Sequence, residues 1–293
     1  GLPEVPPSLN QAETEKLNAW LQKRHGPTLD FATDVQSCSR AHEGGTITER
    51  HICFALAKKL IHQHGTGEAL TTFLNEHLGL SPSKKIIQLL HEPSNLHRVY
   101  DLLGFLKAEL VPHFFIPSGT DECPSARDAA TFARSIHAIP AYAYLGDVSE
   151  SSTGDKRAQN FEDGFLDQLI STLKELGFQA ITYMPPRNTR KQLERLQQLC
   201  RHHGLMEISG VDINSSRQSF NCPILLDPAF QPLCDAAWAL IAHEKCAAKN
   251  ETFGLFHPEN PLIDQSLETR VQHYATIGRN INPHQPENLK ELL

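Results

Sequence analysis

Three short segments in the second half of the chain end in polar and ionisable side chains. They lie at 143–147 (AYLGD), 182–188 (TYMPPRN) and 210–214 (GVDIN). Each predicts the end of a β-strand, and in sheets built from βα units the carboxyl ends of strands carry ligand-binding and catalytic groups. The polar residues at these ends are therefore candidates for one shared site: Tyr144, Asp147, Tyr183, Arg187, Asn188, Asp212 and Asn214.

Asp212 is the strongest single candidate. It follows the apolar sequence Ile-Ser-Gly-Val, so its carboxylate is expected to be partly desolvated and to need a cation, a metal or several hydrogen-bond donors. The alternative is an Asp that caps the turn at 215–216 through backbone N–H groups.

Arginine and tyrosine supply the other candidate groups. Arg187 and Arg217 can each hold a phosphate or carboxylate with the bidentate guanidinium fork, although Arg187 can equally be a solvated side chain. Asn188 is either a ligand-binding amide or the cap of the next helix. Tyr144 and Tyr183 can bond a ligand or transfer a proton, or they are aromatic residues at the rim of the sheet.

Composition excludes several classes of protein. The formal net charge of −7 argues against a nucleic-acid partner or an anionic membrane surface. No apolar stretch is long enough to span a membrane. Seven Cys residues without a CxxC pattern indicate reduced thiols and a cytoplasmic protein. The motifs HExxH, GxGxxG, GxSxG and the P-loop are absent.

The chain divides by pattern near residue 115. Residues 1–115 predict a mostly helical subdomain, in which Thr46 and Glu49 form the capping box of one helix. Residues 116–293 alternate between helical and strand patterns, with helix caps at Ser125 and Thr189. This αβαβαβ order predicts parallel strands with helices packed outside them.

Three segments, taken in order, resemble a known family. They are TITERHI at 46–52, the helix–strand unit at 125–147 and the segment at 210–214. They resemble the PHP superfamily (polymerase and histidinol phosphatase) over roughly residues 40–225. The matching elements are a helical insertion, a unit ending in Ala-His-Pro-Gly and a closing Gly-Ser-Asp-x-His motif. The resemblance implies an α/β fold, a partial or distorted (β/α)7 TIM-like barrel with the helical subdomain at its N-terminal side.

The resemblance also implies a function. It predicts a metal-dependent phosphoester hydrolase for a small phosphorylated metabolite, with a divalent metal (Mn, Zn or Fe) held by Asp212. Asp212, Tyr144 and Asp147 are the expected catalytic residues. The expected substrate-binding residues are Arg50, His51, Tyr183, Arg187, Asn188, Asn214 and Arg217.

The sequence departs from the family at two metal-binding positions and at its opening strand. Tyr144 and Asn214 stand where the family has histidines, and neither a phenol nor a carboxamide replaces imidazole well as a metal ligand. The opening HxH strand has no counterpart, so either the first barrel strands precede residue 1 or the metal centre was lost. Two other functions therefore stay open. One is a non-catalytic barrel that binds an anionic metabolite through Arg187 and Arg217. The other is a metal-free isomerase or lyase that uses the tyrosines with Asp147 or Asp212.

Overall fold

The computed structural model describes residues 8–119, 123–147, 161–211, 213 and 216–282. These residues form two compact units. Unit 1 comprises 8–119 and 216–218, and unit 2 comprises 123–147, 161–211, 213 and 219–282. The sequence boundary near 115 lies close to this division, but it does not anticipate that residues 216–218 join unit 1.

Unit 1 is built from helices packed around one leucine-rich core. They are α1 (Leu9–Gln22), α2 (Glu49–His64), α3 (Glu68–Thr72), α4 (Lys84–His91) and α5 (Arg98–Phe114). Leu17 of α1, Leu56 of α2 and Leu106 of α5 are fully buried in this core. Helix α2 is capped by Thr48 and His51, so the predicted capping box at Thr46 and Glu49 is two residues early.

Unit 2 contains a parallel sheet with helices on both faces. Its strands are β1 (Ala141–Ala143), β2 (Ala180–Tyr183) and β3 (Met206–Ser209), in the order β1-β2-β3. Ala180 pairs with Ala141 on one side and with Met206 on the other. The helices are α6 (Ala126–Ser135), α7 (Leu166–Leu176), α8 (Arg190–His203), α9 (Gln231–Lys249) and α10 (Leu267–Asn280).

Alternating side chains of β2 explain the two helical layers. Ile181 and Tyr183 point to one face, where they pack in a cluster with residues of α7 and α8. Ala180 points to the other face, where small alanines of α9 and buried residues of α10 form a second cluster. Successive residues of a strand face opposite sides of a sheet, so both faces of β2 are covered. The predicted caps at Ser125 of α6 and Thr189 of α8 are confirmed.

The predicted TIM-like barrel is wrong. Of the residues that the structure describes, 62% are helical and 4% lie in strands, and these strands form an open sheet of three. Closing a barrel requires enough strands to curve round and pair the last with the first, with consistent tilt and stagger. The alternation of local patterns predicts parallel neighbours correctly, but it contains no information on that closing pair. No helix within the described ranges is long and apolar enough to cross a membrane.

Candidate functional site

The carboxyl ends of the three strands lie side by side in unit 2. The Tyr144 N–H donates to the Thr182 carbonyl at 2.8 Å, which joins the ends of β1 and β2. The Gly210 N–H donates to the Tyr183 carbonyl at 2.9 Å, which joins the ends of β2 and β3. The described polar residues that follow β1 and β2 are therefore brought to one edge of the sheet.

Glu162 binds the end of β1 most closely. Its side chain is buried, and its carboxylate accepts hydrogen bonds from the Tyr142 hydroxyl and from the backbone N–H groups of Leu145 (2.9 Å) and Gly146 (2.7 Å). A buried carboxylate needs such donors to offset the loss of water. Glu162 therefore anchors the segment before α7 to the end of β1.

Asp163 makes a second set of bonds to the same strand end. Its carboxylate accepts from the Tyr144 hydroxyl, from the Asp147 N–H at 3.1 Å and from Gln192 Nε2 at 2.6 Å. Burial raises the pKa of Asp163, but the hydrogen bonds from Gln192, Tyr144 and the Asp147 N–H outweigh it, so the pKa lies below its usual value. Asp163 is thus a stable anion that organises its neighbours.

Tyr144 and Asp147 take part in this network. Tyr144 is buried, and burial together with its bond to Asp163 raises the pKa of the phenol far above its usual value. Its hydroxyl consequently remains a donor at neutral pH. The Asp147 carboxylate accepts from the N–H groups of Phe161 (2.8 Å) and Asp163 (3.1 Å). Both residues have structural partners here, and their catalytic roles stay predictions.

Asn188 and Arg187 lie in the turn after β2. Asn188 is buried, donates through Nδ2 to the Leu145 carbonyl at 2.6 Å and accepts from the Met184 N–H at 3.3 Å. It therefore fixes the turn to the end of β1, while Thr189 caps α8. Arg187 is half-buried, and its backbone N–H donates to the Met184 carbonyl at 2.9 Å.

Three of the predicted substrate-binding residues belong to unit 1 rather than to unit 2. Arg50 and His51 lie at the start of α2 in unit 1, and His51 Nδ1 accepts the Thr48 N–H at 3.1 Å. Arg217 pairs in unit 1 with Asp101, through distances of 2.7 Å and 2.8 Å to its two carboxylate oxygens.

Burial raises the pKa of Asp101, but Arg217 and Asn95 outweigh it and leave the pKa low. The predicted set is thus divided between the units. Asp212 and Asn214 lie outside the described residues.

A cavity of about 380 Å³ lies beside the amino end of β3, at Met206 and Glu207, and not at the carboxyl ends of the strands. It is lined by the end of α8, by Met206 and Glu207 of β3, and by residues of α9 and of the start of α10. Glu207 Oε2 accepts the Tyr183 hydroxyl at 2.7 Å, and Gln197 Nε2 donates to the same hydroxyl at 3.1 Å. Burial raises the pKa of Glu207 despite the bond from Tyr183 and the charge of Arg201. Burial is also the main reason why the pKa of Tyr183 is high.

The described carboxylates at the strand ends are hydrogen-bonded, and the expected metal at Asp212 stays a prediction because Asp212 lies outside the described residues. Glu162 accepts three donors and Asp163 accepts three, while both bonds of Asp147 are to backbone N–H groups. Elsewhere in the described part of unit 2, His137, Glu251 and His257 bring three ligand atoms within 4.8 Å of one another.

Comparison with known proteins finds no matching family model, no matching curated protein and no matching solved structure. The resemblance to the PHP superfamily therefore stays a prediction from the sequence motifs.

Sequence reasoning missed Glu162, Asp163 and Glu207. The first two lie in the short 3-10 helix Glu162–Phe165 directly before α7, and nothing local indicates that they return to β1. Glu207 does leave a signal, because a charged residue between Met206 and Ile208 interrupts a predicted buried strand. Such a residue must have a partner or line a cavity, and here both are observed.

Proposed function

We propose that unit 2 binds a small phosphorylated metabolite at the carboxyl edge of its sheet and hydrolyses the phosphoester. The proposal is carried by the hydrogen bond from the Gly210 N–H to the Tyr183 carbonyl. This bond holds the start of the segment that contains Asp212 beside the turn that contains Arg187. A guanidinium fork suits phosphate oxygens, and we assign activation of the attacking water to Asp212, which follows Gly210 by two positions in the sequence.

The requirement for a divalent metal rests on Asp212 alone. Asp147, Glu162 and Asp163 already accept hydrogen bonds from N–H and O–H donors, so we assign them a structural role at this edge. The strand-end acids act instead by holding the edge rigid. Glu162 and Asp163 fix the end of β1 by hydrogen bonds to its backbone. Asn188 bonds the turn before α8 to the same strand end, so the backbone position of Arg187 is fixed.

Two measurements on the full chain test the proposal. The first is binding of inorganic phosphate by calorimetry, and the second is hydrolysis of p-nitrophenyl phosphate with EDTA or with added Mn²⁺, Zn²⁺ or Fe²⁺. Arg187→Gln should weaken phosphate binding by about 10-fold or more, because a hydrogen bond to a charged group contributes about 1.5–3 kcal/mol. Asp212→Asn should abolish hydrolysis.

Arg190→Gln is the matched control. Arg190 is an exposed arginine three residues from Arg187, and it pairs with Glu194 and Asp227 on the surface of unit 2. Its loss should leave binding and hydrolysis unchanged. Hydrolysis that survives Asp212→Asn would remove Asp212 from the reaction. Phosphate binding with no hydrolysis would favour the non-catalytic metabolite-binding alternative.

A second candidate function is proton transfer by Glu207 in the cavity beside β3. A half-buried carboxyl with a raised pKa, facing a cavity and bonded to a tyrosine, is suited to act as a general acid or base without a metal. This is the isomerase or lyase alternative, with Glu207 rather than Asp147 or Asp212 as the partner of Tyr183.

Deuterium exchange tests this second candidate. Small hydroxy and keto acids would be incubated with the protein and EDTA in D2O, and carbon-bound deuterium would be measured by mass spectrometry. If Glu207 transfers the proton, Glu207→Gln should abolish deuterium exchange. The control variant Glu268→Gln, which replaces another acid that lines the cavity, should retain it. Equal exchange by the protein and by Glu207→Gln would rule out this role.

A further inference from the structure

The cluster of His137, Glu251 and His257 lies in unit 2, apart from the residues of the proposed function. His137 follows α6 and precedes β1, whereas Glu251 and His257 lie in the connection between α9 and α10. The three residues therefore come from two segments that are more than 100 positions apart in the chain. We propose that they form a Zn²⁺ site that joins these two segments.

The distances fit a tetrahedral ion after a small closure. Zn²⁺ binds imidazole nitrogen at about 2.0–2.1 Å, which places neighbouring ligand atoms of a tetrahedron about 3.4 Å apart. His137 Nε2 and Glu251 Oε2 are already 3.3 Å apart. The three ligand atoms lie within 4.8 Å of one another, so rotation of partly exposed side chains suffices to close the set.

The backbone on both sides of the cluster is held in place. His137 has a φ of 57°, and the N–H of Ala138 donates to the Ala133 carbonyl at 2.9 Å. The His257 N–H donates to the Gly254 carbonyl at 2.9 Å, and the buried Asn260 donates to the same carbonyl at 2.8 Å. Because the backbone at His137 and His257 is already fixed, binding of an ion costs little backbone conformational entropy.

The ligand types select the class of ion. Two imidazoles with one carboxylate suit Zn²⁺, whereas Mg²⁺ and Ca²⁺ prefer oxygen ligands alone. The side chain of His137 is 43% exposed and that of Glu251 is 67% exposed, so water can fill the fourth position.

His257 sets a limit on the affinity. Its Nδ1 accepts the Glu259 N–H at 3.1 Å, so the neutral ring carries its proton on Nε2. A metal at Nε2 moves that proton to Nδ1, and a metal at Nδ1 takes the accepting lone pair. Either geometry breaks the bond to Glu259, which lowers the affinity by roughly 5-fold.

Calorimetric titration of the full chain with Zn²⁺ tests the site. His137→Gln, Glu251→Gln and His257→Gln should each remove one equivalent of bound Zn²⁺, or weaken it at least 10-fold. His202→Gln, an exposed histidine of α8, is the control and should change nothing. Mg²⁺ at the same concentration should not compete.

Two further results distinguish a Zn²⁺ site from an ion pair on the surface. Asp212→Asn should retain the equivalent that His137→Gln removes, since the two sites share no residue. His137→Gln and Glu251→Gln should each unfold at the temperature of the unmutated protein when EDTA is present, because these two side chains are exposed. A titration that is unchanged in His137→Gln and Glu251→Gln would overturn the proposal and leave only the ion pair.

Discussion

Gly146 is the residue at which the strand-end network leaves no room for a side chain. Its φ is +67°, and a Cβ placed on it would lie 2.7 Å from the Tyr144 hydroxyl oxygen and 2.8 Å from Asn188 Nδ2. These two groups bind the Asp163 carboxylate and the Leu145 carbonyl. We therefore expect Gly146→Ala to destabilise unit 2 through both the backbone and these two hydrogen bonds.

The magnitude follows from these contributions. A left-handed conformation costs an L-residue about 1–2 kcal/mol. Losing the bond from Tyr144 to a carboxylate costs about 1.5–3 kcal/mol, and losing the amide–carbonyl bond of Asn188 costs about 1 kcal/mol. The expected decrease in the free energy of unfolding of unit 2 is therefore about 3.5–6 kcal/mol.

Two glycines of unit 2 provide matched controls. Gly204 has a φ of +61°, and a Cβ placed on it would have no neighbour within 4 Å, so Gly204→Ala should cost only the backbone contribution of about 1–2 kcal/mol. Gly164 has neither a positive φ nor a neighbour within 4 Å. Gly164→Ala should stay within about 0.5 kcal/mol of the parent or stabilise it.

Urea unfolding followed by Trp fluorescence measures these differences. The chain has two Trp residues, Trp20 in unit 1 and Trp238 on α9 of unit 2. In a Trp20→Phe background the signal reports unit 2 alone, which avoids treating a chain of two units as one two-state transition. If Gly146→Ala lost no more stability than Gly204→Ala, the reasoning from close contacts at the strand end would be refuted.

Three further predictions concern helix packing and buried acids. A Cβ on Gly278 of α10 would collide with the backbone of α9, so Gly278→Ala should destabilise unit 2 by about 1–3 kcal/mol. Gly104 of α5 has open space around it, so Gly104→Ala should stabilise unit 1 by about 0.5–1 kcal/mol. Thermal unfolding of the two variants and the parent measures both changes. Asp101→Asn should destabilise unit 1 by about 1–2 kcal/mol at pH 7, measured by urea unfolding, because Arg217 loses its paired charge. The contribution of the Asp101 carboxylate to the free energy of unfolding is present above its ordinary pKa of 3.8 and is lost as the pH falls through its lowered pKa. If Asp101→Asn were equally destabilised at pH 7 and below pH 3, the pairing with Arg217 would be contradicted. Burial raises the pKa of Glu207 above 4.5, so its contribution to stability is most favourable below pH 4.5 and is lost as the pH rises through the raised pKa. Glu207→Gln should therefore gain stability relative to the parent between pH 4 and pH 8 in calorimetric unfolding, and a constant difference would show that Glu207 does not titrate in this range.

The sequence predicted the features of unit 2 that depend on neighbouring residues. Ser125 and Thr189 cap their helices as expected, since a cap involves residues three positions apart. Parallel pairing of β1, β2 and β3 was also predictable, because a helix lies between each pair of successive strands. The side-by-side strand ends follow directly from that pairing.

Tertiary structure decided the number of strands and the use of the polar groups. The open sheet of three could not be distinguished from a barrel, because closure depends on pairing between distant strands. Tyr144 bonds to Asp163, which lies 19 positions further along the chain, and Asp147 bonds to Phe161, which lies 14 positions further. The return of this segment to β1 is not visible in any local pattern.

The same distinction applies to the sites. The local pattern placed Arg187 at a strand end and put Arg50 and His51 in the helical subdomain, but it did not indicate that Arg217 joins unit 1. His137, Glu251 and His257 meet only through the packing of segments more than 100 positions apart. Local sequence determines which groups follow each strand, and long-range packing decides whether a group is left for chemistry or is used to hold the fold.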